Sequence, residues 1–224
     1  MRNIEQGVTM QNKLGSGKKL LEKIEMLKNS NIKNVVDERI KQFKEIRNQP
    51  SSELFKELAY CILCANFNAE RSMNIQKVIG DGFLYWPEKR LAKELKALGH
   101  RFPNTRAKYI VDARKKMKLL ESKISSFNNK QELRDWLVAE IKGFGMKESS
   151  HFLRNIGFSD YAILDFHIIS MLIKFGLIER LSTLTKRRYL EIETLLRSIA
   201  EKANTSLAEL DLYLWFMETG KILK

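Results

Sequence analysis

Proline, cysteine and histidine are scarce in this chain. Its 224 residues hold three prolines, at 50, 87 and 103, so long stretches lack the residue that most often stops a helix. Alternating apolar and polar runs, the mark of half-buried strands, are nearly absent. Two cysteines, Cys61 and Cys64, are too few for a secreted disulfide framework or for an all-cysteine four-ligand iron–sulfur cluster. Their CxxC spacing is that of zinc and redox sites. Zinc takes about four ligands, and beyond this pair stand only the scattered His100, His151 and His167. Beside Ile62 and Leu63, the cysteines read as core packing. No metal and no cofactor are expected. No run approaches the roughly 18 apolar residues of a membrane span, and residues 1–19 lack the apolar centre of a secretion signal. A cytoplasmic protein is expected, with its first dozen or so residues loosely ordered.

Positive charge is what the chain has in excess. Lys and Arg number 40 against 27 Asp and Glu, a net charge of +13. A polyanion is the default partner for such a surface, although Lys-rich compositions also mark thermophile proteins. Hydrophobic residues make up 44%, enough for a core at this length.

Helical periodicity predicts helices at about 18–29, 32–48, 52–66, 70–83, 88–98, 104–122, 130–142, 147–157, 166–176, 186–203 and 207–219. Asn129 with Glu132 and Ser206 with Glu209 have capping-box spacing. Pro87 and Pro103 fall near helix starts, and Gly99, Gly157 and Gly176 near helix ends. The class is all-α.

One constellation carries chemistry. Residues 143–149 read GFGMKES, between DWLVAEI and SSHFLRNIG. Gly143 and Gly145 allow backbone conformations closed to other residues, so a tight hairpin between helices is predicted. Amides at the start of the second helix then offer an anion site, for which a nucleic-acid phosphate is the natural occupant. Lys147 follows the second glycine by two. An amine attacks only when neutral, and the positive end of a helix disfavours the ammonium form. Lys147 is therefore electrostatically misplaced unless it is used. Asp165 lies 18 residues further on, after Ile163 and Leu164 and before an apolar helix. That is a natural N-cap.

Ile141, Gly143, Phe144, Gly145, Lys147 and Asp165 match, position by position, the signature of the helix-hairpin-helix DNA glycosylases, which this chain resembles over residues 50–224. The resemblance is strongest to the type-2 8-oxoguanine DNA glycosylase/lyases of archaea and bacteria. One departure is the segment before Asp165, which has Gly157 but no proline. The resemblance implies two helical subdomains with a DNA-binding cleft between them. The expected division is a 1–20 extension, a subdomain of 21–60 with 175–224, and a helix-hairpin-helix subdomain of 61–174.

What the resemblance implies chemically is a monomeric bifunctional enzyme. It would act on double-stranded DNA containing 8-oxoguanine, flip the nucleotide out and attack C1′ with Lys147. Asp165 would assist base departure, and a Schiff base would lead to β-elimination. Gly143, Gly145, Lys142, Arg154 and His151 are candidates for the DNA backbone. Asn66 and Asn68, in CANFNAERS, resemble a gap-filling segment. Lys224 and Trp215, in DLYLWFMETGKILK, are candidates for base recognition and stacking. His167 reads as structural. Arg101, Arg106 and Lys108, mixed with Phe102 and Tyr109, suit backbone contact plus stacking. The alternatives are a helix-hairpin-helix module that only grips DNA, or a glycosylase for another lesion.

Overall fold

The computed structural model of the chain describes residues 17–126 and 130–224. The expected Asn129 cap and residues 1–16 of the expected extension lie outside the described residues. Residues 17–20, also assigned to that extension, already belong to the first helix, where Leu20 is wholly buried.

Every regular element among the described residues is a helix: α1 (residues 17–28), α2 (Ile32–Arg47), α3 (Ser51–Cys64), α4 (Ala69–Ile79), α5 (Gly82–Tyr85), α6 (Glu88–Ala97), α7 (Pro103–Arg114), α8 (Met117–Ser126), α9 (Lys130–Glu140), α10 (Met146–Asn155), α11 (Phe166–Lys174), α12 (Lys186–Lys202) and α13 (Leu207–Thr219). Pro87 caps α6 and Pro103 opens α7, while Gly99, Gly157 and Gly176 take positive φ at helix ends. The Ser206–Glu209 capping box forms in both directions.

Two predicted helices are broken. The 70–83 span ends α4 at Gly80, whose φ of +49° leaves the helix, and restarts as the short α5. The 104–122 span splits after Arg114, where no proline or glycine marks the break. Long-range bonds hold it instead: Arg114 donates to the carbonyls of Phe83 and Trp86, and Lys116 to Glu140.

The described residues form two compact units. One contains residues up to Lys41 with Ser159–Ile222; the other contains Gln42–Phe158 with Leu223–Lys224. The expected breaks at 60/61 and 174/175 thus move to 41/42 and 158/159. α11 joins the first unit because Ile168, Met171 and Leu172 are buried against α13.

In the second unit, α3 is the central element. Ten of its fourteen residues are buried, as expected of a helix that is apolar nearly all round. α4, α5, α7, α8 and α10 pack on it. Each fully buried Leu, Ile or Phe contributes about 1.5–3 kcal/mol. Cys61 and Cys64 are free thiols in this core. Burial pushes both up from the usual thiol value, which agrees with packing rather than reactivity.

In the first unit, α12 and α13 supply Tyr189, Ile192, Leu196, Leu210, Leu212 and Leu214 to the core. Two buried side chains of α12 clamp the extended segment before α11. Tyr189 donates its hydroxyl to the Ala162 carbonyl (2.6 Å) and accepts from the Leu164 N–H (3.3 Å). Glu193 accepts from the Ala162 N–H at 2.9 Å, and Arg197 donates to the Asp160 carbonyl.

Candidate functional site

In the second unit, α9 and α10 are joined by the turn Ile141–Gly145. The Phe144 N–H closes it onto the Ile141 carbonyl (3.1 Å), and the Ser149 N–H donates to the Gly145 carbonyl (3.0 Å). Gly143 has φ +85°, and a Cβ there would lie 2.6 Å from the Tyr109 ring. Both facts demand glycine. Gly145 corrects the sequence reading: its φ is −108°, open to any residue. A Cβ there would lie 3.3 Å from the Glu148 carboxylate, a close contact that a small shift of that side chain would relieve.

One amide of the hairpin already has a partner. The Gly145 N–H donates to Glu148 Oε2 at 3.1 Å. Glu148 Oε1 accepts from Lys147 Nζ at 3.3 Å. One carboxylate thus caps α10 and holds the Lys147 amine at the hairpin. Lys147 is the second residue of α10 and its side chain is only 25% exposed.

Three other backbone candidates sit differently from the expectation. Lys142 is exposed but paired with Asp112 (2.9 Å), which raises the lysine and, with Lys115, lowers the aspartate. Arg154 is buried, its guanidinium 4.7 Å over the Phe43 ring, so it is not presented to solvent as a phosphate ligand. His151 is buried edge-on to Tyr60. Burial, and then the charges of Arg154 and Lys147, push its imidazole well below the usual value; it is neutral, not a cationic phosphate contact. For Arg154 and His151 the physical reason is shared. All but the first turn of α10 is buried, so single charges on this polar sequence do not face water.

Asn68 is the N-cap of α4, its Oδ1 accepting from the Arg71 N–H at 2.9 Å. Asn66 is exposed and takes φ +56°. Beside them, Arg71 stacks on Phe67 and Arg101 on Phe102. Arg106 is buried and donates to the Ala65 carbonyl, so it shapes this loop from beneath.

Lys224 does not extend into solvent. Its ammonium donates to Glu57 Oε2 at 2.8 Å and to Gln76 Oε1. Its backbone oxygen accepts from the Tyr60 hydroxyl at 2.8 Å. Burial raises that phenol well above its ordinary value and keeps it a donor. Glu57, Gln76 and Lys224 line a cavity of about 640 Å³, with Lys56, Asn74 and Lys77 around it. Glu57 and Gln76 escaped the sequence reading. The signal was a carboxylate on the buried stripe of α3, in register with Tyr60, Cys61 and Cys64.

In the first unit, Asp165 is the N-cap of α11: its Oδ1 accepts from the Ile168 N–H at 2.9 Å. His167 packs edge-on to Trp215, with ring centroids 4.8 Å apart, and to Phe166, which is 77% exposed. The buried Trp215 Nε1 has no hydrogen-bond partner. An exposed aromatic ring, Phe166, thus follows directly on Asp165, with the partly buried His167 packed between it and Trp215.

The chain is similar to known proteins along most of its length. The chain is 52% identical over 206 residues to the 8-oxoguanine DNA glycosylase/AP lyase of Methanocaldococcus jannaschii, covering 92% of this chain and 99% of that protein. It is 46% identical to the protein of the same description from Korarchaeum cryptofilum, covering 92% and 98%. A crystal structure of the M. jannaschii glycosylase/lyase in complex with a 15mer DNA containing 8-oxoguanine superposes with a TM-score of 0.89, at 51% identity over 92% of this chain and 99% of that one. The 8-oxoguanine DNA glycosylase of Thermotoga maritima superposes at 0.87, with 39% identity over 93% and 100%. The Ogg-HhH family model, described as 8-oxoguanine DNA glycosylase, matches residues 36–205. With its glycine hairpin, its lysine and its capping aspartate in place, the chain belongs to the helix-hairpin-helix 8-oxoguanine DNA glycosylase family.

Proposed function

We propose that this chain excises 8-oxoguanine from double-stranded DNA and then nicks the strand. The damaged nucleotide is rotated out of the duplex. Lys147 Nζ attacks C1′; the C–N bond to lysine forms as the glycosidic bond breaks, and the base leaves with that electron pair and a proton. Asp165 takes the proton shed by the amine or stabilises the positive charge on the sugar. Opening of the sugar ring gives a Schiff base. Loss of a C2′ proton then expels the 3′ phosphate, and water releases the lysine.

The observation that carries this reading is the placement of Lys147: second residue of α10, partly buried, and held at the glycine hairpin by Glu148. A lysine that only gripped phosphate would gain nothing from burial at a helix start. The substrate is supported by the relatives' 8-oxoguanine activity and by the net charge of +13. Trp215 and Lys224 serve the base, the hairpin and Asn66 the DNA around it. No described helix is long and apolar enough to cross a membrane. The relatives are archaeal and bacterial, whose DNA lies in the cytoplasm, and this supports a cytoplasmic enzyme, which we propose acts as a monomer.

Borohydride trapping tests the reading. The wild-type chain on an 8-oxoguanine:cytosine duplex should give a covalent adduct and a nick, both lost in Lys147→Gln. Binding with neither adduct nor cleavage would leave only a DNA-gripping module. Cleavage at thymine glycol with 8-oxoguanine ignored would overturn the substrate.

A further inference from the structure

The carboxylate of Glu57 is 3% exposed at the middle of α3. A buried carboxylate is costly unless donors surround it. Three do. Oε2 accepts from Lys224 Nζ (2.8 Å) and from Gln76 Nε2 (3.3 Å), and Oε1 from Asn155 Nδ2 (2.7 Å). They come from residue 224, from α4 and from α10, so one side chain ties three distant segments to α3. Gln76 is bound on both of its faces, donating to Glu57 and accepting from Lys224. One turn along α3, Tyr60 takes the other end of residue 224 by its backbone oxygen, and the ammonium lies 4.6 Å over the same ring.

Lys224 is therefore held at both ends, and its ammonium is already neutralised by a buried partner. We propose that Glu57 is a positioning residue for recognition of the damaged base, acting through Lys224. The Lys224 ammonium is a tether whose task is to fix residues 223–224, and that fixed segment is what meets the base. This rests on the excision of 8-oxoguanine proposed above.

An abasic site contains no base to recognise, yet its cleavage still needs Lys147. That separates positioning from mere structural support. In the full chain, Glu57→Gln should slow single-turnover excision of 8-oxoguanine by about 10- to 100-fold, the usual cost of a small misplacement. It should also narrow the preference for 8-oxoguanine over guanine. Borohydride trapping on an abasic duplex should be unchanged. The double variant Glu57→Gln/Lys224→Met should excise no more slowly than Lys224→Met alone, because both act through one contact. Equal losses of excision and abasic cleavage, or losses that multiply in the double variant, would overturn the proposal. If Glu57→Gln does not fold, Gln76→Leu removes two bonds of the same cluster and must show the same split; an equal loss again counts against it. A wild-type chain that ignores 8-oxoguanine would instead sink the proposed substrate, before any variant is compared.

Discussion

At the Lys147 hairpin, the bonds that set the backbone run between near neighbours: Phe144 to Ile141, Gly145 to Glu148, Ser149 to Gly145. At Asp165, the approach is set from far away. The segment before it is clamped by Tyr189, Glu193 and Arg197, whose partners lie 25 to 37 residues earlier. Lys147 is thus mounted on a turn that folds by its own chemistry, and Asp165 on a strap that α12 holds in place. The missing proline before Asp165 follows from this. A proline would stiffen the strap from within; buried side chains of α12 do so from outside.

The comparison can be broken at the hairpin first, with the largest effect. Gly143→Ala forces an L-residue to φ +85° and its Cβ to 2.6 Å from the Tyr109 ring. The expected loss is about 2–4 kcal/mol, combining left-handed strain with overpacking, read by urea unfolding, together with weaker binding to undamaged duplex. Adding Tyr109→Ala should return the packing part of the loss and leave the strain. Next comes the strap. Tyr189→Phe deletes a hydroxyl that serves two buried backbone groups, and should cost about 1–3 kcal/mol. Single-turnover excision should slow while affinity for undamaged duplex, measured by titration, stays put. A Tyr189→Phe variant that lost affinity and kept its excision rate would reverse the assignment of the two regions.

Acid sharpens the contrast further, because the polar burial is concentrated near the hairpin. His151 is neutral and pushed well below the ordinary histidine value by burial. His100 is shifted the same way, chiefly by burial, and its two ring nitrogens meet the Leu63 carbonyl and the Phe102 N–H. Below a pH of about 6.5 the unfolded chain takes up protons that these folded histidines refuse. Their contribution is therefore fully present above that pH and falls away beneath it. His151 should cost at most about 1.4 kcal/mol per pH unit, seen as a drop in Tm between pH 7 and 5 that is smaller in His151→Asn. The smallest effect is expected from Glu148→Gln. Glutamine still accepts from the Gly145 N–H, as capping boxes allow, so stability should change by no more than about 0.5 kcal/mol in thermal melts.

What could be read in the sequence divides along the same line. Local signals were legible: the glycines at helix ends, the Ser206 box, the Asp165 cap, the hairpin and its lysine. What depended on distant partners was not. The break after Arg114 follows from bonds to Phe83, Trp86 and Glu140. Arg154 and His151 read as candidates for the DNA backbone, yet α10 is buried beyond its first turn. The Glu57–Lys224 pair spans 167 residues, and only the buried register of α3 hinted at it.

The central claim is that the Lys147 amine forms the bond to DNA. The most direct measurement is to trap the wild-type chain with borohydride on an 8-oxoguanine:cytosine duplex, digest the adduct, and locate the modified residue by mass spectrometry. The account predicts a single cross-linked peptide carrying the sugar on Lys147. A cross-link on another lysine, or excision with no lysine modified, would contradict it.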